Sequence, residues 1–238
     1  MLVAAAVCPC PPLLVPEVAA GAAPELDDLR AACAKALGVL TAARPDLLIV
    51  VGPADPAGRG PHPEGATGTF RGFGVDLGVR LGRERGPVVA ERPLPPSLAV
   101  GAWLLARTPW DEAPVEGLGV GESLETARCT DTGRDLSARA DRVALLVMGD
   151  GSACRTVKAP GYLDVRAEAF DAAAAHALGT ADVDAVNALD ESLAYELKAA
   201  GRAPWQVLAG AAEGADLDGR LLYEDAPYGV GYLVATWS

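Results

Sequence analysis

Two histidines, His62 and His176, are the only imidazoles in the 238-residue chain, and they limit its chemistry more sharply than any other feature. A facial non-haem iron site takes two histidines and one carboxylate, so it would use both and leave no histidine as general base. His62 stands between Pro61 and Pro63 in a Gly/Pro-rich stretch, a position suited to a site as well as to a plain loop residue. His176 stands in the Ala-rich segment 172–178, where a packed or surface histidine is the commoner reading.

Cysteines offer a second route to a metal. Cys8 and Cys10 are one residue apart, so on an extended segment their side chains point the same way. With Cys154 and His62 they could form a tetrahedral, thiolate-rich zinc site. Against this, Cys-x-Cys is not zinc-knuckle spacing, and cysteine commonly behaves as a small buried hydrophobe. Asp150, Glu224 and Asp225 are carboxylates at strand ends that could serve as acids or bases if desolvated, and would otherwise cap turns. Ser152, in Gly151-Ser152-Ala153-Cys154, is a candidate nucleophile that lacks the second glycine of a nucleophile elbow. The glycines at 72–74 and 117–121 read as turns, since neither stretch lies between a clear strand and a helix N-terminus.

These residues need elements to hold them. Apolar runs alternate with helical patterns, which predicts an α/β fold with a mostly parallel or mixed central sheet and helices on both faces. Residues 2–7, 46–51 (DLLIVV), 75–81, 142–148 (RVALLVM), 220–224 and 229–237 read as strands, the second and fourth buried on both sides. Residues 24–40, 97–107, 164–178 and 183–200 read as helices, the last ending at Gly201. Residues 52–68 read as one long loop. Gly149 to Cys154 directly follow a buried strand, where open α/β sheets place their sites. Tyr223, Tyr228, Tyr232 and Trp237 complete the core.

Composition excludes several classes of function. Lys and Arg number 20 against 32 Asp and Glu, a formal charge of −12, which repels nucleic acid and anionic lipid. No apolar run approaches the roughly 20 residues of a membrane span. The apolar start has no positive n-region and is cut by Pro9, Pro11 and Pro12, so it reads as a buried first strand. Five cysteines, an odd number, in a chain long enough to need no staples, suggest reduced thiols and a cytoplasmic protein. The chain is read as one domain, 1–238.

Three segments in order, Ala6-Val7-Cys8-Pro9-Cys10-Pro11-Pro12-Leu13-Leu14-Val15-Pro16-Glu17, then Asp46-Leu47-Leu48-Ile49-Val50-Val51-Gly52-Pro53, then Met148-Gly149-Asp150-Gly151-Ser152-Ala153, resemble the LigB-like superfamily. This comprises the catalytic subunits of class III extradiol ring-cleavage dioxygenases and the Memo-like proteins. The ending from Tyr223 to Tyr232 extends the likeness over nearly the whole chain. The resemblance implies Fe(II) held by two His and a Glu, with a further His as acid/base. It places the first ligand where Cys10 stands, the second within Gly52, Pro53, Ala54 and Asp55, and the acid/base where Ala153 stands. Glu224 alone remains as the implied carboxylate ligand, with Asp55 or His62 as substitutes from the loop.

Two functions follow as expectations. One is a class III extradiol ring-cleavage dioxygenase-like protein, of the LigB type, with a degenerate metal site and a small aromatic or carbonyl substrate. The other is a non-catalytic binding or scaffold protein without the iron centre. A hydrolase using Ser152 or Cys154 is a third. The expected site comprises Asp150 and Ser152 for catalysis and Cys10, His62 and Glu224 for a metal. That metal is Fe(II) by resemblance, Zn(II) as the alternative, or absent. The expected partner is a small molecule, with neither nucleic acid nor membrane, and self-association is left open.

Overall fold

The computed structural model describes residues 1–83, 92–108, 110 and 113–238. Its strands are β1 (Leu2–Cys8), β2 (Leu47–Pro53), β3 (Gly60–His62), β4 (Thr67–Thr69), β5 (Gly78–Arg80), β6 (Val115–Val120), β7 (Val143–Met148), β8 (Gly219–Asp225) and β9 (Tyr232–Trp237). Seven form one sheet in the order β3-β6-β2-β7-β1-β9-β8, and β4 pairs with β5 separately. The four inner strands β6, β2, β7 and β1 are parallel. At the edges β3 runs antiparallel to β6, β9 to β1, and β8 to β9.

The helices are α1 (Pro16–Ala19), α2 (Asp27–Ala42), α3 (Pro96–Leu105), α4 (Thr126–Ser137), α5 (Ala167–Gly179), α6 (Val183–Asn187), α7 (Glu191–Glu196) and α8 (Arg202–Ala211). Side-chain alternation along the strands sorts the core into two layers. Val7, Ile49, Val51, Leu145 and Val147 face one layer with Cys129 of α4, Phe170 of α5 and Trp205 of α8. Ala6, Cys8, Leu48, Val50, Leu146 and Met148 face the other with Leu29 and Leu37 of α2 and Leu98 of α3. The expected α/β fold, a mixed sheet covered on both faces, is what the chain adopts. No helix among the described residues is long and apolar enough to cross a membrane.

Three local expectations require correction. Gly117 and Gly119 are not in a turn but within β6, paired in register with β2 from Leu48↔Val115 to Pro53↔Val120, and Gly121 directly follows the strand. Residues 52–68 are not a single loop. Within them β3 pairs Gly60 and His62 with Gly119 and Gly117, and Pro61 is tolerated because an edge strand can leave a donor out. Residues 183–200 are two short helices, each opened by a side-chain cap, Asp182 accepting from the Ala185 amide and Asp190 from the Leu193 amide. Gly201 does not end that segment but begins α8.

Candidate functional site

The parallel strands β1, β2, β6 and β7 finish at the same end of the sheet, and the residues just beyond them converge. Cys10, Pro53, Ala54, Asp55, Glu122 and Asp150 line a cleft of about 290 Å³, closed on one side by Pro96 and Ser97 at the start of α3 and on another by Ala200. This is the position at which open α/β sheets bind ligands.

Asp150 is the best-anchored of these side chains. The Gly149 amide continues the β1–β7 pairing by donating to the Cys8 carbonyl across 3.0 Å, and the Cys10 amide donates to Asp150 Oδ1 across 2.7 Å. The Asp150 carbonyl accepts from the Gly201 amide at 2.8 Å. The position needs glycine, because a Cβ at Gly201 would collide first with the Trp205 ring, at 2.3 Å, and would stand 2.8 Å from the same carbonyl oxygen. Desolvation pushes the Asp150 carboxyl up from 3.8 to about 6, partly offset by the Cys10 amide.

Cys10 is only 8% exposed. Its thiol is held well above its ordinary range, first by burial and then by the negative charges of Asp150 and Glu122. It is therefore a neutral thiol at physiological pH, neither an activated nucleophile nor a ready thiolate ligand. Asp55 is exposed and accepts the Gly58 amide at 3.0 Å. Ser97 is buried and donates its hydroxyl to the Pro53 carbonyl at 2.6 Å. Below the cleft, Tyr232 is 2% exposed, and burial followed by the Asp150 charge raises its phenol.

Of the five expected site residues, the structure brings together Cys10 and Asp150. His62 is 1% exposed on β3, its Nε2 within 2.9 Å of the Gly58 carbonyl. Burial lowers its pKa and so favours the neutral ring. Glu224 is exposed on β8. β3 and β8 are the two edges of the sheet, six strand spacings or roughly 29 Å apart, so His62 and Glu224 cannot share one ion. Ser152 is fully buried, with its amide and hydroxyl both donating to Asp171 at 2.7 Å. It is a pin for the loop after β7, outside the residues lining the cleft. Cys154 faces the opposite core layer from Cys8 and Cys10, which takes it out of the thiolate zinc arrangement. His176 is exposed on α5.

The residues that sequence reasoning missed are Glu122, Ser97 and Arg202. Glu122 follows β6, the strand hidden by its glycines. Arg202, 1% exposed, donates Nη2 to the Glu122 carbonyl and Nη1 to the Leu124 carbonyl, both at 2.5 Å. Gly201 and Arg202 thus let the first turn of α8 hold the loops that carry both Asp150 and Glu122.

The chain is similar in fold to solved proteins. The crystal structure of an uncharacterized protein, JW3007, from Escherichia coli K12 superposes with a TM-score of 0.54 at 18% identity, over 99% of this chain and 100% of that one. The likeness is of backbone architecture. No family model and no curated protein matches the sequence.

The iron implied by the sequence resemblance can be tested against the donors present. The cleft offers one protonated thiol, three carboxyl groups and no imidazole. Among the described residues no three His, Cys, Asp or Glu side chains converge in a way that could hold a metal ion. A two-histidine, one-carboxylate iron centre does not fit these residues, and neither does the thiolate zinc set. What the arrangement can do is accept hydrogen bonds, present negative charge, and exchange a proton at Asp150 at mildly acidic pH.

Proposed function

We propose that the protein binds a small molecule in the cleft at the carboxyl end of its parallel strands, on an extradiol-type scaffold that works without iron. One observation carries this reading. The side chains bearing chemistry in the cleft are Cys10, Asp55, Glu122 and Asp150, while the chain's two imidazoles lie outside its lining. Ring cleavage in the class III manner needs an ion that chelates a catecholate and leaves room for oxygen, and an acid/base group beside it. Ala153, at the implied acid/base position, is buried and tied to the Leu197 carbonyl through its amide.

A second reading has specific support. Asp150, with its pKa pushed to about 6, is poised for acid–base catalysis near neutrality, which favours a metal-independent enzyme on a small aromatic or carbonyl substrate. All five cysteines are unpaired and buried, which supports a reducing compartment such as the cytoplasm.

Anaerobic loading with Fe(II), followed by oxygen-uptake measurements on a panel of catechols, tests the proposal. The expected result is less than stoichiometric retained iron and uptake no greater than that of free iron. Retention of one iron per chain with catechol-dependent uptake would overturn it.

A further inference from the structure

We propose that the ligand of this cleft is a small organic cation, an amine whose ammonium group is received by Asp150. The proposal rests on the reading of the cleft as a ligand site and names the class of molecule that fits it.

The charge of the lining favours a cation. Asp55, Glu122 and Asp150 all reach the lining, and none of the described lining residues is Lys, Arg or His. Two cations border it: Arg59 on the rim, whose Nε donates to the Ala54 carbonyl at 3.4 Å and whose guanidinium lies over Gly121, and the buried Arg202, whose Nη2 donates to the Glu122 carbonyl. Two bordering cations against three carboxyl groups still leave the site with a negative balance, which the low-dielectric walls of a cleft concentrate. A carboxylate or phosphate ligand would meet repulsion from these three carboxyl groups.

The hydrogen-bonding capacity left in the cleft points the same way. Asp150 Oδ1 is occupied by the Cys10 amide, and among the described residues no protein group donates to Oδ2. Cys10 Sγ, on a residue more than nine-tenths buried, has no hydrogen-bond partner among them either. Ser97 has spent its proton on Pro53 and keeps only acceptor capacity. Among the described lining side chains the Cys10 thiol is the one weak donor left beside these acceptors, and an ammonium supplies three donors with no acceptor. The remaining walls, Pro53, Ala54, Pro96 and Ala200, are apolar and small, and suit a compact hydrocarbon body attached to that head.

The cation would also come to a prepared position. Asp150 is held from both sides, by the Cys10 amide on its carboxylate and the Gly201 amide on its carbonyl. Little side-chain freedom is lost when a ligand meets it.

An isosteric series separates the alternatives. Benzylamine and benzyl alcohol share one shape and differ in charge, and benzoate puts a planar anion on the same ring. Each is titrated into the full-length protein at pH 7.5 by calorimetry, and into the Asp150→Asn and Ala200→Trp variants. Asparagine keeps the oxygen that accepts the Cys10 amide, and tryptophan fills the cleft from its edge. The expected result is saturable benzylamine binding, at least tenfold weaker binding of benzyl alcohol, and none of benzoate. Benzylamine affinity should fall at least tenfold in Asp150→Asn and vanish in Ala200→Trp, with both variants melting cooperatively. If benzyl alcohol or benzoate matches benzylamine and Ala200→Trp blocks it, the cation assignment fails while the cleft stands. If benzylamine binding survives both substitutions, it lies elsewhere and the proposal fails. If none of the three binds, the cation assignment and the cleft reading fall together.

Discussion

The amide of Cys10 meets Oδ1 of Asp150 at 2.7 Å, tying the segment after β1 to the segment after β7 at the floor of the cleft. The contact lowers the cost of ionising a carboxyl that burial alone would push higher, and it leaves the other oxygen open toward the space between the strands. The site is thereby built from the ends of adjacent parallel strands rather than from the loop that carries His62.

Asp150 makes stability depend on pH in a predictable direction. Its folded pKa, about 6, lies above the ordinary value of 3.8, so between these values the folded state binds more protons than the unfolded one. Stability then falls as pH rises through this window, by at most about 3 kcal/mol for a shift of about two units. Urea unfolding at pH 4 and pH 7 checks this against Asp150→Asn. The variant should lose that component of the slope, and an unchanged slope would show that Asp150 titrates normally.

Ser152→Ala should cost about 1–3 kcal/mol with no effect on ligand binding in the cleft. The buried Asp171 carboxylate accepts the Ser152 amide, the Ser152 hydroxyl and, at 3.2 Å, Arg155 Nη1. Removing the hydroxyl leaves a buried oxygen with one donor fewer. Thermal melting reads the loss. Labelling of Ser152 by a serine-directed fluorophosphonate would contradict the structural role, because a fully buried hydroxyl pinned to Asp171 presents no nucleophile.

What was legible in the sequence follows the physics of each segment. β2 and β7 are continuous apolar runs with no competing interpretation, and Cys10 and Asp150 could be placed because each directly follows a strand. β6 was concealed by Gly117 and Gly119. Those glycines exist because β3 and its approach press against them: a Cβ at Gly119 would collide with the Gly58 carbonyl, and one at Gly117 would crowd Leu81 and His62. With β6 hidden, Glu122 was hidden too. The flanking prolines of His62 suggested an exposed loop, whereas they mark an edge strand. Strand order, which separates His62 from Glu224, is not encoded in local pattern at all.

Glycine substitutions at two helices should move stability in opposite directions. α4 and α8 pack backbone to backbone, and a Cβ at Gly133 would collide with the Val207 carbonyl. Gly133→Ala should therefore destabilise by about 3 kcal/mol, since backbone rather than a flexible side chain must give way. Gly38, in the interior of α2, has open space around it, and Gly38→Ala should stabilise by about 0.5–1 kcal/mol through helix propensity alone. Chemical denaturation of both variants tests the helix contact against the propensity effect.

Arg202 should prove to be a clamp rather than a filler. Its guanidinium is buried, bonds the Glu122 and Leu124 carbonyls, and also reaches Gln206 Oε1 at 2.9 Å. Among the described residues no carboxylate lies within ion-pair distance of it, so its charge is balanced by carbonyl dipoles. Arg202→Leu would leave those carbonyls without donors and should cost about 3 kcal/mol or more. Arg202→Lys should recover less than half of that, because one ammonium cannot reproduce the fork that spans two carbonyls. Hydrogen exchange distinguishes the roles: a clamp predicts faster exchange confined to the segment between β6 and α4, including Glu122, under conditions where the rest of the sheet stays protected. A uniform loss of protection across the sheet would instead mean that Arg202 contributes only to global packing and does not position the wall of the cleft.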